Sequence, residues 1–244
     1  MGADQHHDWR QLAESALDWW RDAGVDTLVA DQPRDWRTPA NGPAATGPAD
    51  AARAGAAKVA DVAPAPPLPA TLDAFAAWRT GPDAPEASWG APLLAAEGDP
   101  ASDLMIVVDC PEGDGLMGGA AGVLFDRILG AIGRDRASIH LAALAIARPI
   151  GGILPSESEA ELTTLLRHHI ALAAPKRLLL LGKSVSRALI GVDSVKARGS
   201  LHRINLEVVT VEAVASWHPR FLLERPSRKG DAWKDLQLLM GGLR

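Results

Sequence analysis

The sequence predicts an α/β domain, a three-layer α/β/α sandwich built on a mainly parallel, four-stranded central sheet. Three observations predict it. Short apolar runs stand at residues 104–109, 138–144 and 177–181 and within 206–217. Segments of helical periodicity lie between them. The runs are mostly apolar instead of strictly alternating, which calls for burial on both faces and helices on both sides of the sheet. A chain of 244 residues accommodates one such domain with extensions and a sizeable core.

Taken in order, residues 5–23 read as an amphipathic helix. Trp9, Leu12, Ala13, Ala16, Leu17 and Trp20 recur at three- and four-residue steps, and Gly24 is a stop signal. Trp19 and Trp20 suit packing better than stacking on a ligand. From Arg37 to Ala70 the chain is mostly Ala, Pro, Gly and Asp, too poor in large apolar side chains to offset ordering, so a flexible linker is expected. The implied layout is a helical appendage over 1–36, a linker over 37–70 and the α/β domain over 71–244. Within that domain Thr71 caps a short helix through Trp78. The strand at 104–109 is followed by a helix over 119–132, and the strand at 138–144 by a helix over 157–173 that Pro175 ends. The strand at 177–181 leads into a helix over 184–190 stopped by Gly191. The fourth strand lies within 206–217, with room for a hairpin before it, and a helix over 229–240 closes the chain.

Charge divides the chain. The net charge is −5, but residues 1–120 carry 19 acidic and 7 basic residues, and residues 121–244 carry 11 acidic and 18 basic. A basic second half suits phosphate contacts; the competing reading is a half that is merely richer in arginine. The single cysteine, Cys110, rules out an intramolecular disulfide and a cysteine-based metal site. The N-terminus is polar and acidic, unlike a secretory signal, and no apolar run is long enough to span a membrane. A cytoplasmic monomer without a cofactor or membrane attachment is expected.

Several motifs compete for chemistry. Gly182-Lys183-Ser184 resembles the tail of a P-loop, but the first glycine of that motif would fall on Arg177, inside a strand. His168-His169 lie side by side in a helix and face different directions, a poor metal geometry. Gly113, Gly115, Gly118, Gly119 and Gly122 surround a helix entry, which suits an anion site or a surface loop equally. Asp109 ends the first strand and His218 the last. A carboxylate and an imidazole at neighbouring strand ends can share a crevice at the sheet's carboxyl edge, where open α/β sheets bind ligands. The carboxylate would orient water or stabilise a sugar cation, and the imidazole would stabilise a leaving base. The alternative makes Asp109 a turn cap and packs His218 under Pro219.

The ordered series from Thr71 to Met240 resembles the uracil-DNA glycosylase superfamily, in particular its iron–sulfur (family 4) branch. The resemblance runs through Glu97-Gly98-Asp99-Pro100, then Gly119-Ala120-Ala121-Gly122-Val123-Leu124-Phe125-Asp126-Arg127, then Ala147-Arg148-Pro149. It continues through Arg187-Ala188-Leu189-Ile190-Gly191 and His218-Pro219 to Trp233-Lys234-Asp235-Leu236-Gln237. The family's first motif, Gly-Glu-Ala-Pro-Gly, is replaced by Val108-Asp109-Cys110-Pro111-Glu112, so Asp109 stands for the acidic residue. A uracil-stacking phenylalanine aligns with Met117, and the base-reading asparagine with Ala143, which offers no side-chain donor or acceptor. The His-Pro-Ser motif becomes His218-Pro219-Arg220, and the wedge position falls on Leu222. Two cluster-binding cysteines align with Ala147 and Leu162, and a single cysteine cannot hold a [4Fe–4S] cluster.

What the resemblance implies is a DNA base-excision N-glycosylase. Asp109 and His218 would be catalytic. Cys110, Pro111, Met117 and Ala143 would form the base pocket, though Cys110 suits a buried apolar filler as well. Pro219, Arg220, Leu222 and Arg225 would meet DNA. The alternative is a weak or inactive homologue that binds damaged or single-stranded DNA, or a protein partner through the N-terminal helix. A third possibility keeps these segments as scaffold alone.

Overall fold

The computed structural model describes residues 67–206 and 209–241, all within one compact unit, Pro64–Arg244. The helix expected over 5–23 and most of the expected linker lie outside the described residues.

The first described helix, α1 (Leu72–Arg79), starts where Thr71 Oγ1 accepts the Ala74 N–H at 3.3 Å. That is an ordinary N-cap, satisfying one of the first-turn donors that have no partner inside the helix. The strands β1 (Glu97–Gly98), β2 (Leu104–Val108), β3 (His140–Ala143), β4 (Arg177–Leu181), β5 (Leu201–Asn205) and β6 (Thr210–Ser216) form one sheet, in the order β1-β3-β2-β4-β6-β5. The four inner strands are parallel, and the two edge strands are antiparallel to their neighbours. The four-stranded parallel centre therefore matches the sequence expectation, and the sheet is extended by two edges. β5 and β6 pair as the hairpin for which the sequence left room.

All five residues of β2 are buried, and the pleat divides them between two cores. Leu104, Ile106 and Val108 face one side, with Phe125 and Leu129 of α2 (Gly119–Ala131) and Leu236 and Leu239 of α7 (Lys229–Met240). Met105 and Val107 face the other, with Leu162, Leu166 and Ile170 of α3 (Ser156–Ala173) and Val185 and Leu189 of α4 (Lys183–Ile190). This is the three-layer arrangement. Two further helices are short: α5 (Ser194–Ala197) and α6 (Pro219–Glu224). The sequence reads His218-Pro219 as a turn; in the fold His218 is the N-cap and Pro219 the first residue of α6, a position that needs no backbone N–H.

Two buried arginines have structural work. Arg177 opens β4, donates to the Leu238 and Leu239 carbonyls at the end of α7, and pairs with Glu212 at 2.7 Å. Arg79 and Glu86 form a buried two-pronged ion pair. Glu86 also accepts the Ile146 N–H at 3.0 Å, and Arg79 reaches the Leu144 carbonyl at 3.4 Å. The pair thus fastens α1 and the turn after it to the segment that follows β3.

Candidate active site

The parallel strands end in register. Val108 of β2 is level with Ala143 of β3 and Leu181 of β4, and Leu181 with Ser216 of β6. The residues that follow, Asp109, Gly182 and Trp217-His218, therefore emerge at one edge. β2 lies between β3 and β4, so the chain crosses to opposite sides of it. That switch point is where open α/β sheets leave a crevice. A cleft of about 350 Å³ occupies this edge, and Asp109, Cys110, Glu112, Trp217 and His218 are among its lining residues. Asp109 and His218 are thus brought together, although not from adjacent strands as expected: β4 runs between theirs.

Asp109 is tied to α4. Its Oδ1 accepts the Val185 N–H at 2.7 Å, so the carboxylate occupies the positive end of that helix. Gly182 is required there. Its φ is +136°, and a Cβ would collide with the Asp109 carboxylate. This contact also explains why Gly182-Lys183-Ser184 is no phosphate loop: a carboxylate already fills the helix terminus. Burial raises the pKa of Asp109 above the ordinary carboxylate value, while the N–H groups of Val185, Ser184 and Lys183, and then Arg187, pull it down.

His218 Nδ1 accepts the Arg220 N–H at 3.2 Å. A backbone N–H only donates, so the neutral ring carries its proton on Nε2. Burial pushes the His218 pKa down to about 4, against a pull upward from Glu112. Near pH 7 the imidazole is therefore a neutral donor. Trp217 stacks on the Phe221 ring at 4.6 Å and meets the Arg198 guanidinium 4.6 Å from its centroid. Its buried Nε1 has no hydrogen-bond partner among the described residues. Beneath it Asp235 accepts from Arg198 at 2.7 Å and from Ser216 at 2.8 Å, which fixes the end of β6.

Glu112 joins three segments at the cleft. It pairs with Arg148 at 3.2 Å and with Arg220 at 3.3 Å, and Arg148 also donates to the Pro111 carbonyl at 2.6 Å. In the sequence Glu112 and Arg148 stand out only as members of motifs, with no role of their own. Their pairing spans more than thirty residues, and no local pattern announces it.

Residues 95–237 match the model of the uracil DNA glycosylase superfamily. The chain belongs to that superfamily. A type-4 uracil-DNA glycosylase of Pyrobaculum aerophilum is 27% identical over 161 residues, covering 61% of this chain and 82% of that protein.

The other residues expected from the superfamily's motifs fall in several places. Cys110 lines the cleft, and burial pushes its thiol pKa up. Pro111 is buried beside it. Met117 is fully buried in the core between the sheet and α2, and Ala143 packs in the same core, so neither is among the cleft-lining residues. Leu222 is 2% exposed and packs against Trp217 and Ala232. It anchors α6 and does not project as a wedge, because a six-residue helix has one inward face and Leu222 is on it. Arg220 lines the cleft and is half-exposed, and Arg225 is exposed at the end of α6. The iron–sulfur cluster implied by the family 4 resemblance does not fit this chain. There is one thiol, and Ala147 and Leu162 are fully buried without a ligating atom.

Proposed function

We propose that this chain hydrolyses the N-glycosidic bond of uracil or a related deaminated base in DNA. The observation that carries the proposal is the neutral His218, whose protonated Nε2 belongs to a residue lining the same cleft as the Asp109 carboxylate. In this reading the nucleotide is flipped into the cleft. The bond from the sugar C1′ to the base nitrogen breaks, and its electron pair leaves with the base. His218 Nε2–H stabilises the charge that develops on a base carbonyl oxygen. Asp109 stabilises the sugar cation and orients the water that adds to C1′; that water's proton passes to the carboxylate or to solvent. Cys110 and Pro111 flank the base, and Pro219 presets the turn that aims His218. Arg220 and Arg225 meet phosphates, Arg220 after parting from Glu112.

Ala143 cannot replace the base-reading asparagine, so a changed or relaxed base preference is expected. The protein acts as a cytoplasmic monomer in this proposal, and the segment over 5–23 serves a protein partner. Among the described residues no helix is long and apolar enough to cross a membrane.

One observation favours a second reading. Asp109 is committed to the start of α4, and a carboxylate held that way is less free to assist water. A weak or inactive homologue that binds damaged or single-stranded DNA would fit. Labelled oligonucleotides carrying uracil, hypoxanthine, xanthine or mispaired uracil, treated with the protein and then alkali, separate the two. Strand cleavage at one or more of these bases supports the glycosylase. Salt-dependent binding without cleavage supports the binding module.

A further inference from the structure

Two isoleucines stand on the surface of one turn, and Ile153 of the pair lines the cleft. Ile150 is 94% exposed and Ile153 is 79% exposed, more than any other large apolar residue among those described. Single exposed apolar residues are ordinary, but two on one turn beside a binding cleft are not. The turn is built to hold them out. Pro149 and Pro155 bracket it, Gly151 and Gly152 both take left-handed φ values of +72° and +70°, and the Gly152 N–H donates to the Pro149 carbonyl at 2.9 Å. A Cβ on Gly152 would fall 3.1 Å from Arg148 Nη2, so the guanidinium backs the turn. Through Arg148 the turn is tied to Pro111 and Glu112, beside Asp109.

We propose that this turn, with Ile150 and Ile153 at its tip, is the wedge that enters a DNA duplex where a base has left the stack. The proposal rests on the glycosylase reading above and names the part of the site that opens the duplex. Gly152, Ile153 and Leu154 line one wall of the cleft, and Arg220, Phe221 and Glu224 of α6 line another. From Arg220 to Lys229 the second wall and its continuation carry Arg220, Arg225, Arg228 and Lys229 and one acidic residue, Glu224, with Arg220 paired to Glu112 and Arg228 to Asp231. An apolar tip on one side of a cleft and a basic rim on the other match a duplex, whose stacked bases accept apolar side chains and whose backbone is anionic. Leu222, the residue at the expected wedge position, is buried and cannot serve.

The test uses the full chain and its Ile150→Ser/Ile153→Ser variant, with Leu223→Ser on α6 as a control for lost surface leucine. The first reading is single-turnover excision from one deaminated base placed in a duplex and in the corresponding single strand. A wedge helps only where a stack must be opened, so the duplex-to-single-strand ratio should fall by about tenfold or more in the double variant and hold in Leu223→Ser. The second reading is the fluorescence of 2-aminopurine next to an abasic-site analogue in a duplex, which needs no catalysis. The wild type should unstack the probe and the double variant should not. An unchanged ratio with unchanged fluorescence overturns the wedge and leaves the glycosylase standing. If the wild type releases no base at all, the glycosylase reading fails, and the fluorescence alone decides the wedge. A wild type that leaves the probe unperturbed overturns it. So does a self-association that the two serines abolish while the fluorescence is unaltered, since the turn would then bind a second copy.

Discussion

Asp109 has two jobs that one substitution can separate. Its side chain caps α4 through the Val185 N–H, and its charge lies in the cleft proposed for the chemistry. Asp109→Asn keeps an acceptor of the same shape but loses the charge. Its Tm should stay near that of the wild type, while excision falls by about 10²-fold or more. Gly182→Ala should do the opposite, unfolding readily because both its φ and the Asp109 carboxylate exclude a Cβ; a loss of about 2 kcal/mol or more is expected in denaturant unfolding. His218 ties pH to stability. Its folded pKa of about 4 lies below the ordinary 6.5, so between those values the unfolded chain binds a proton that the folded chain refuses. This contribution is fully in place above pH 6.5 and is lost as pH falls toward 4. His169, pushed down to about 3 by burial, acts with the same sign. Asp109 acts with the opposite sign, because its raised pKa favours the folded state as pH falls through the upper edge of its titration. Thermal denaturation between pH 4.5 and 7 should therefore show Tm falling with acid, less steeply in His218→Gln.

At the level of elements, the account turns on what holds the cleft's segments in place. The Arg79–Glu86 pair links α1 to the backbone just before Arg148, where the resemblance would have placed a cluster ligand at Ala147. Breaking a buried pair strands a charge, so Glu86→Ala should cost about 3–5 kcal/mol by denaturant unfolding, and the double change Arg79→Met/Glu86→Leu should recover much of it. Leu222→Ala should cost about 2–5 kcal/mol, as expected of an anchor of α6. The inner strands were legible because runs such as Leu104–Val108 are apolar on both faces, a pattern few other structures explain. Helices α1 to α4 and α7 were legible to within a residue or two, from signals such as Thr71 as a cap and Gly191 as a stop, whereas the four-residue α5 is too short to carry a periodic signal. β1 is two residues long and β5 is mostly polar, so neither carries a periodic signal. α6 was hidden because Pro219 reads equally as a turn residue and as a helix's first residue. That Asp109 and His218 share one cleft was legible from their places at strand ends. The bridging of Arg148 and Arg220 by Glu112 was not, since long-range ion pairs leave no mark on local sequence.

The whole molecule carries the superfamily's scaffold, with a cleft lined by Asp109 and His218 at the carboxyl edge of its sheet. The match over residues 95–237 covers the sheet from β1 to β6 together with α6 and most of α7. Within it the resemblance places Asp109 at the superfamily's acidic position and Ala143 at its base-reading asparagine. Residues 121–244 carry a net charge of +7, so DNA affinity should fall as salt rises, with a log–log slope that shrinks by about 1 for each phosphate-contacting arginine removed; titrations of Arg225→Ala against the wild type check this. The claim on which the account depends is that the cleft of Asp109 and His218 breaks a glycosidic bond. The direct measurement is release of the free base, followed by mass spectrometry, from oligonucleotides carrying each deaminated base under excess protein. Release by the wild type, reduced by about 10²-fold in Asp109→Asn and in His218→Ala while both stay folded, is the expected result. No free base from any substrate, or equal release by wild type and variants, would contradict it.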